Sequence, residues 1–132
     1  AVRMDKHNAN AKKVAHWLRE QKKVEKVYYV GFEDHKDYDV TLKQTTGFGG
    51  MISFTVDSEE TVMKILKNVD MIMFAESLGG TESLITYPVT QTHADVPKDK
   101  LLENGITDRV LRLSLGIEGK EDLIADLEAV LK

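Results

Sequence analysis

The sequence contains no cysteine, and this absence excludes disulfide bonds, thiolate zinc sites and cysteine nucleophiles. It also has no apolar run long enough to cross a membrane. The first residues, 1–13, lack the apolar segment of a signal peptide. Together these absences favour a cytoplasmic protein in a reducing compartment.

An excess of positive charge is missing as well. The chain carries 18 basic and 22 acidic residues, for a net charge of −4. Such a balance provides no field that would attract phosphate backbones or anionic lipids, so we expect neither nucleic acid nor membrane as a partner. A chain of 132 residues with 42% hydrophobic residues fits a single domain, residues 1–132, with one core.

The spacing of apolar residues predicts a mixture of helices and strands. Helices are expected from Met4 to about Gln21, at 38–44, after a capping box formed by Asp57 and Glu60, from Pro97 to near Gly105, and at 120–131. Strands are expected at 24–30, 51–56, 71–75, 84–88 and 109–115. Because the two types do not alternate strictly, the sequence predicts an α+β fold, with helices on one face of a mostly antiparallel sheet.

Arg112 is the most informative residue of the last predicted strand. Period-two alternation places Leu111 and Leu113 on one face and Arg112 with Ser114 on the other. If that second face is open to water, the arginine is an ordinary surface residue. If another part of the molecule covers it, the guanidinium needs an anion, and its planar fork suits a carboxylate.

The segment Glu76–Ser83 follows a predicted strand end and is rich in glycine and hydroxyl residues. It is either a tight turn with capping hydroxyls or an anion-binding loop. The glycines of 47–50 lack the spacing of a phosphate-binding loop, and the four histidines show no metal-binding spacing. The residues alone therefore leave the function open.

Two long segments carry a family resemblance. AESLGGTESLITYPVTQTH at 75–93 and NGITDRVLRLSLGIEGKEDLIADLEAVL at 104–131 resemble the C-terminal region of the transsulfuration enzymes, the cystathionine γ-synthases and γ-lyases of cysteine and methionine metabolism. HNANAKKVAHWL, VEKVYYVG and GFGGMISF are similar to the same family's entry into this region. The resemblance therefore covers essentially the whole chain.

The resemblance implies the small C-terminal domain of a fold-type I enzyme dependent on pyridoxal phosphate. In that family a large domain holds the cofactor on a lysine, and the small domain closes over the substrate. No lysine here has the family's Ser-x-Thr-Lys context. We therefore expect pyridoxal phosphate in the longer protein, none on this chain, and no catalysis by this chain alone.

The matching motifs also imply roles for particular residues. Arg112, in the family's RLSxGIE strand, looks like the residue that binds the substrate α-carboxylate. Ser77 and the Leu78 backbone resemble a second carboxylate contact, and Thr92 is a weaker candidate. Glu76 resembles the acidic residue of members devoted to γ-chemistry, so it favours a γ-synthase or a γ-lyase. The segment ITYPVTQTH at 85–93 resembles bacterial γ-synthase-like members, so the resemblance as a whole favours a γ-synthase-like activity.

Alternatives to this interpretation concern both the activity and the kind of protein. The longer protein resembles γ-lyases and β-lyases as well, and its substrates would be homoserine esters, cystathionine or cysteine. Its expected partners are its own large domain and three further copies in a homotetramer. A stand-alone amino-acid-binding module is a second hypothesis, and an oligomerisation domain is a third.

Overall fold

A computed structural model describes all residues, 1–132, as one sheet of five strands with five helices. The strands are β1 (Val24–Tyr28), β2 (Met51–Val56), β3 (Met73–Phe74), β4 (Leu84–Thr86) and β5 (Val110–Ser114). The helices are α1 (Val2–Arg19), α2 (Tyr38–Gln44), α3 (Glu59–Asn68), α4 (Lys98–Glu103) and α5 (Lys120–Leu131).

The last strand in the chain, β5, lies at the centre of the sheet. The strand order is β1-β2-β5-β4-β3, and β5 pairs antiparallel with both β2 and β4. Only the short β3 runs parallel to its neighbour, β4. The prediction of a mostly antiparallel sheet is confirmed.

Three helices, α1, α3 and α5, pack together on one face of this sheet. The alternate residues Phe54, Leu111 and Leu113 point to that face and are 0% exposed. From the helices, Leu18, Ile65 and Leu127 complete the same core and are equally buried. Because apolar area removed from water stabilises a fold by about 25 cal/mol per Å², this layer is the main source of stability. The α+β prediction, with helices on one face, is confirmed.

The predicted capping box at the start of α3 is wrong. Such a box requires the Glu60 side chain to accept the Asp57 amide, but that amide donates to the Lys23 carbonyl at 2.9 Å. Ser58 is the N-cap instead, and its hydroxyl accepts the Thr61 amide at 3.2 Å. The Asp57 carboxylate accepts the Thr61 hydroxyl at 2.6 Å, and this hydrogen bond lowers the pKa of Asp57 below its usual value.

The third strand is shorter than the five residues predicted. The carboxylate of Asp126, on α5, accepts the backbone amides of Asp70, Met71 and Ile72 at 2.8, 3.0 and 2.9 Å. These amides are therefore not available to the sheet, and only Met73–Phe74 pair with β4. Pro97 likewise lies one position before α4, as its N-cap, rather than inside the first turn.

No helix of the protein combines the length and the apolar character that a membrane-spanning segment requires. The longest, α1, has 18 residues and buries a single stripe that includes Ala11, Val14 and Leu18 against the sheet. Its other side is exposed and charged, which is the pattern of a helix on the surface of a core.

Candidate functional site

The face of the sheet opposite the three helices carries one polar row across four strands. Strand register places Tyr28, Ser53, Arg112 and Thr86 side by side in that order. Along this row the exposure falls from one end to the other: Tyr28 is exposed, Ser53 and Arg112 are half-buried, and Thr86 is buried. The sequence alternation that placed Arg112 opposite the leucine face is confirmed.

Arg112 is held by neutral acceptors only. Its Nη2 donates to the Glu76 carbonyl at 2.8 Å and to the Thr86 hydroxyl at 3.2 Å. The same hydroxyl donates onward to the Ala75 carbonyl at 2.6 Å, which fixes its orientation. The Nε of Arg112 is buried and has no hydrogen-bond partner. The guanidinium is therefore oriented, yet one of its donors lacks an acceptor.

The segment from Glu76 to Ser83, called here the 76–83 loop, lies at the C-terminal end of β5. The Gly79 amide donates to the Ser114 hydroxyl at 2.8 Å, and the Ile117 amide donates to the Thr81 carbonyl at 2.8 Å. Gly79 adopts φ +75°, a conformation that other residues rarely adopt. The loop is thus fastened beside Arg112 through several hydrogen bonds.

The structure brings some of the predicted site residues together. Glu76 contacts Arg112 through its backbone carbonyl, while its side chain is exposed. Ser77 and Leu78 follow in the same loop, both exposed, and their side chains make no hydrogen bond. Thr92 lies after β4, where its hydroxyl is 2.7 Å from His93 Nδ1. Its place in a substrate site remains a prediction.

Three residues of this arrangement were not predicted from the sequence. Thr86 orients Arg112, and its position opposite Arg112 follows only from the β4–β5 register. Ser83 and Glu118 hold the end of the loop, because the Ser83 amide and the Ser83 hydroxyl both donate to the Glu118 carboxylate. The GIE segment in the family-like motif contained Glu118, but only the folded chain shows what it contacts.

The chemistry that this geometry supports is the binding of an anion. Arg112 forms no ion pair, whereas Arg19 and Arg109 each pair with a carboxylate. A planar guanidinium with a free buried donor matches the two oxygens of a carboxylate. A cavity of about 400 Å³ lies elsewhere, between α4 and the turn after β4, and its lining does not include Arg112. The candidate anion site therefore lies outside this cavity.

A family comparison identifies the class of protein to which this fold and site belong. The whole chain, residues 1–132, matches the family described as Cys/Met metabolism PLP-dependent enzyme. The chain belongs to this family, whose members use pyridoxal phosphate. The resemblance read from the segments at 75–93 and 104–131 is confirmed.

Different curated relatives are named for different activities. A cystathionine beta-lyase of Lactococcus lactis is 46% identical over 132 residues, which are 100% of this chain and 35% of that protein. A cystathionine gamma-lyase of Bacillus subtilis is 44% identical over 131 residues, 99% of this chain and 35% of that protein. The chain thus spans about a third of the length of the curated relatives it matches.

Solved structures share the same fold. A cystathionine gamma synthase from Xanthomonas oryzae, crystallised with cystathionine, matches with a TM-score of 0.93 and 39% identity, over 98% of this chain and 34% of that one. A cystathionine gamma-lyase from Lactobacillus plantarum, crystallised with L-serine, matches with a TM-score of 0.90 and 40% identity, over 98% and 34%.

The lysines of this chain lack the burial of a lysine that holds pyridoxal phosphate. A lysine that holds pyridoxal phosphate sits in a closed pocket, but every lysine here is exposed or only half-buried. Two arginines contact the 76–83 loop: Arg112 donates to the Glu76 carbonyl, and the exposed Arg3 donates to the Gly79 carbonyl at 2.8 Å.

Proposed function

We propose that this chain is the C-terminal substrate-binding domain of a cystathionine γ-synthase-like enzyme, and that it is inactive without the cofactor-binding domain. In this proposal Arg112 binds the α-carboxylate of the amino-acid substrate. Ser77 and the backbone of Leu78 contact the same carboxylate from the 76–83 loop. Thr92 is a further candidate contact on the same side.

The observation that carries the proposal is the unpaired buried Nε of Arg112. A buried polar group without a partner costs roughly 1–3 kcal/mol, and more if it is charged. A carboxylate that accepts from Nε would remove this cost. Because Nη2 already donates to the Glu76 carbonyl and to the Thr86 hydroxyl, the guanidinium is oriented before the substrate arrives.

Within the proposed enzyme, this chain contributes orientation. Contact with the oriented guanidinium of Arg112 restricts the position of the carboxylate and hence the direction of the bonds at the adjacent carbon. Holding reactants in a productive geometry lowers a barrier by several kcal/mol. The bound cofactor supplies an electron sink for the substrate carbanion, which the side chains of this domain do not provide.

The particular activity is supported less directly than the domain's role. Relatives named as β-lyase, γ-lyase and γ-synthase lie within a narrow range of identity, 46%, 44% and 39%. Our preference for γ-chemistry rests on the exposed residue Glu76, whose carbonyl accepts from Arg112. The preference for a γ-synthase over a γ-lyase rests on the segment ITYPVTQTH. In the longer protein we expect its own large domain to cover the open sheet face, within a homotetramer.

The test is a titration of the ¹⁵N-labelled chain with L-cystathionine, followed by NMR at the Nε–H of Arg112. We expect saturable binding that shifts this resonance. Arg112→Ala should weaken binding by about 10- to 100-fold, which corresponds to a charged hydrogen-bonded contact of about 1.5–3 kcal/mol. Arg112→Lys keeps the charge but loses the fork, so we expect an intermediate loss.

Arg19→Ala is the matched control, because Arg19 is an exposed arginine that already pairs with Asp34. It should bind L-cystathionine as the unmodified chain does. Equal affinity of Arg112→Ala and Arg19→Ala would contradict the proposal, as would the absence of saturable binding.

A further inference from the structure

Glu118 is a partly buried carboxylate beyond the end of β5 that uses both of its oxygens on one residue. Oε1 accepts the Ser83 amide at 2.6 Å, and Oε2 accepts the Ser83 hydroxyl at 2.8 Å. Ser83 is 0% exposed and ends the 76–83 loop. Glu118 is absent from the ion pairs of the protein, so its role here is that of a double acceptor.

The Ser83 hydroxyl links this contact back to the arginine strand. It accepts the amide of Gly116 at 2.8 Å, two residues beyond the end of β5. A side chain at Gly116 would overlap with the Thr81 carbonyl, so the loop and the strand end are in direct contact there. Glu118, Ser83 and Gly116 therefore form one connected unit between the strand of Arg112 and the loop.

Helix α1 is hydrogen-bonded to this unit through one side chain. Asn10, 0% exposed on α1, donates to the carbonyls of Gly116 and Glu118, each at 2.9 Å. The backbone on both sides of Ile117 is thereby fixed to the helix layer. Movement of the 76–83 loop relative to β5 would have to break the Glu118–Ser83 hydrogen bonds.

We propose that Glu118 is a positioning residue: it sets the place of Ser77 and Leu78 relative to Arg112, and so controls affinity for the substrate carboxylate. This inference rests on the proposed function of Arg112. A glutamine at this position offers one acceptor oxygen in place of two, so either the Ser83 amide or its hydroxyl would lose its partner. The loop would then be free to shift.

The experiment compares Glu118→Gln with Glu128→Gln, which makes the same chemical change at an exposed position of α5. The dissociation constant for L-cystathionine and the hydrogen-exchange rates of the Ser83 and Gly79 amides are measured by NMR. We expect Glu118→Gln to raise the constant about tenfold, since small misplacements of a binding group cost one to two orders of magnitude. It should also speed exchange of both amides.

Ile65→Val separates positioning from general destabilisation. Ile65 is 0% exposed on α3, in the helix layer, and its truncation weakens the core without touching the loop. Ser83→Ala should resemble Glu118→Gln, and Ile65→Val should bind normally. If Glu118→Gln and Glu128→Gln have equal dissociation constants for L-cystathionine while binding still depends on Arg112, the positioning role of Glu118 is overturned and the proposed function stands. Absence of Arg112-dependent binding would overturn the proposed function with it.

Discussion

The hydroxyl of Tyr29 is the clearest case of a buried polar group that the fold leaves without a partner. The residue is 2% exposed, and its ring packs edge-on against Phe32 with centroids 5.3 Å apart. Burial raises the pKa of Tyr29 from 10.0 to about 12. Between these values the folded protein keeps the proton that the unfolded chain releases. The contribution of this group to stability is therefore complete below pH 10 and is lost as the pH rises toward 12.

The variant Tyr29→Phe should not show this loss of stability between pH 10 and 12. At pH 7 we expect the free energy of unfolding to change by less than about 1 kcal/mol, since an unpaired hydroxyl is removed and the ring is kept. Between pH 10 and 12 the unmodified protein should lose up to about 1.4 kcal/mol per pH unit relative to the variant. Urea denaturation across this range checks the prediction, with the half-exposed Tyr28→Phe as control. If the free energies of unfolding of the protein and of Tyr29→Phe change in parallel between pH 10 and 12, the fold does not hold the Tyr29 hydroxyl neutral.

At the same scale, the sequence indicated which residue is the cation of the site but not how it is held. Alternation in a strand fixes the face of Arg112, because side chains in a strand alternate with period two. Its partners, Thr86 and the Glu76 carbonyl, come from segments 26 and 36 residues away. Strand register decides such contacts, and register is not encoded in any local pattern.

At the scale of single elements, the start of α3 shows that a tertiary contact can prevent a local sequence motif from forming its hydrogen bonds. Asp57 and Glu60 have the spacing of a capping box, but pairing of the Asp57 amide with Lys23 removes the donor that Glu60 would need. The helices at 38–44 and 120–131 are confirmed at their predicted bounds. Segments with strong periodicity were thus predictable, and the length of β3, set by Asp126, was not.

Ser58→Ala tests the corrected cap directly. Loss of the hydroxyl that accepts the Thr61 amide should lower the free energy of unfolding by about 1 kcal/mol. Glu60→Ala should change it by no more than about 0.5 kcal/mol, because Glu60 is exposed and makes no capping hydrogen bond. Urea denaturation at pH 7 measures both variants. If Glu60→Ala lowers the free energy of unfolding more than Ser58→Ala does, the capping box of Asp57 and Glu60 is favoured over the Ser58 cap.

At the scale of the whole molecule, the expectation that this chain binds no cofactor can be tested directly. We expect pyridoxal phosphate added to the purified chain to give no saturable change in the absorption spectrum. Borohydride reduction should leave no stoichiometric adduct on one lysine, because each lysine is solvent-accessible and none is distinguished by burial. A single stoichiometric adduct, found by mass spectrometry and absent from a lysine-rich unrelated protein, would contradict this expectation.

The central position of the last strand has a consequence for synthesis on the ribosome. β2 and β4 do not pair with each other, so each keeps an unpaired edge until β5 is available to both. Translation from the end of β2 to the start of β5, at about 5–20 residues per second, takes roughly 3–11 s. During that interval β2 has only β1, and β4 has only the two residues of β3. The nascent chain therefore depends on β5 to close the sheet, and protection from aggregation by chaperones matters most just before Arg112 emerges.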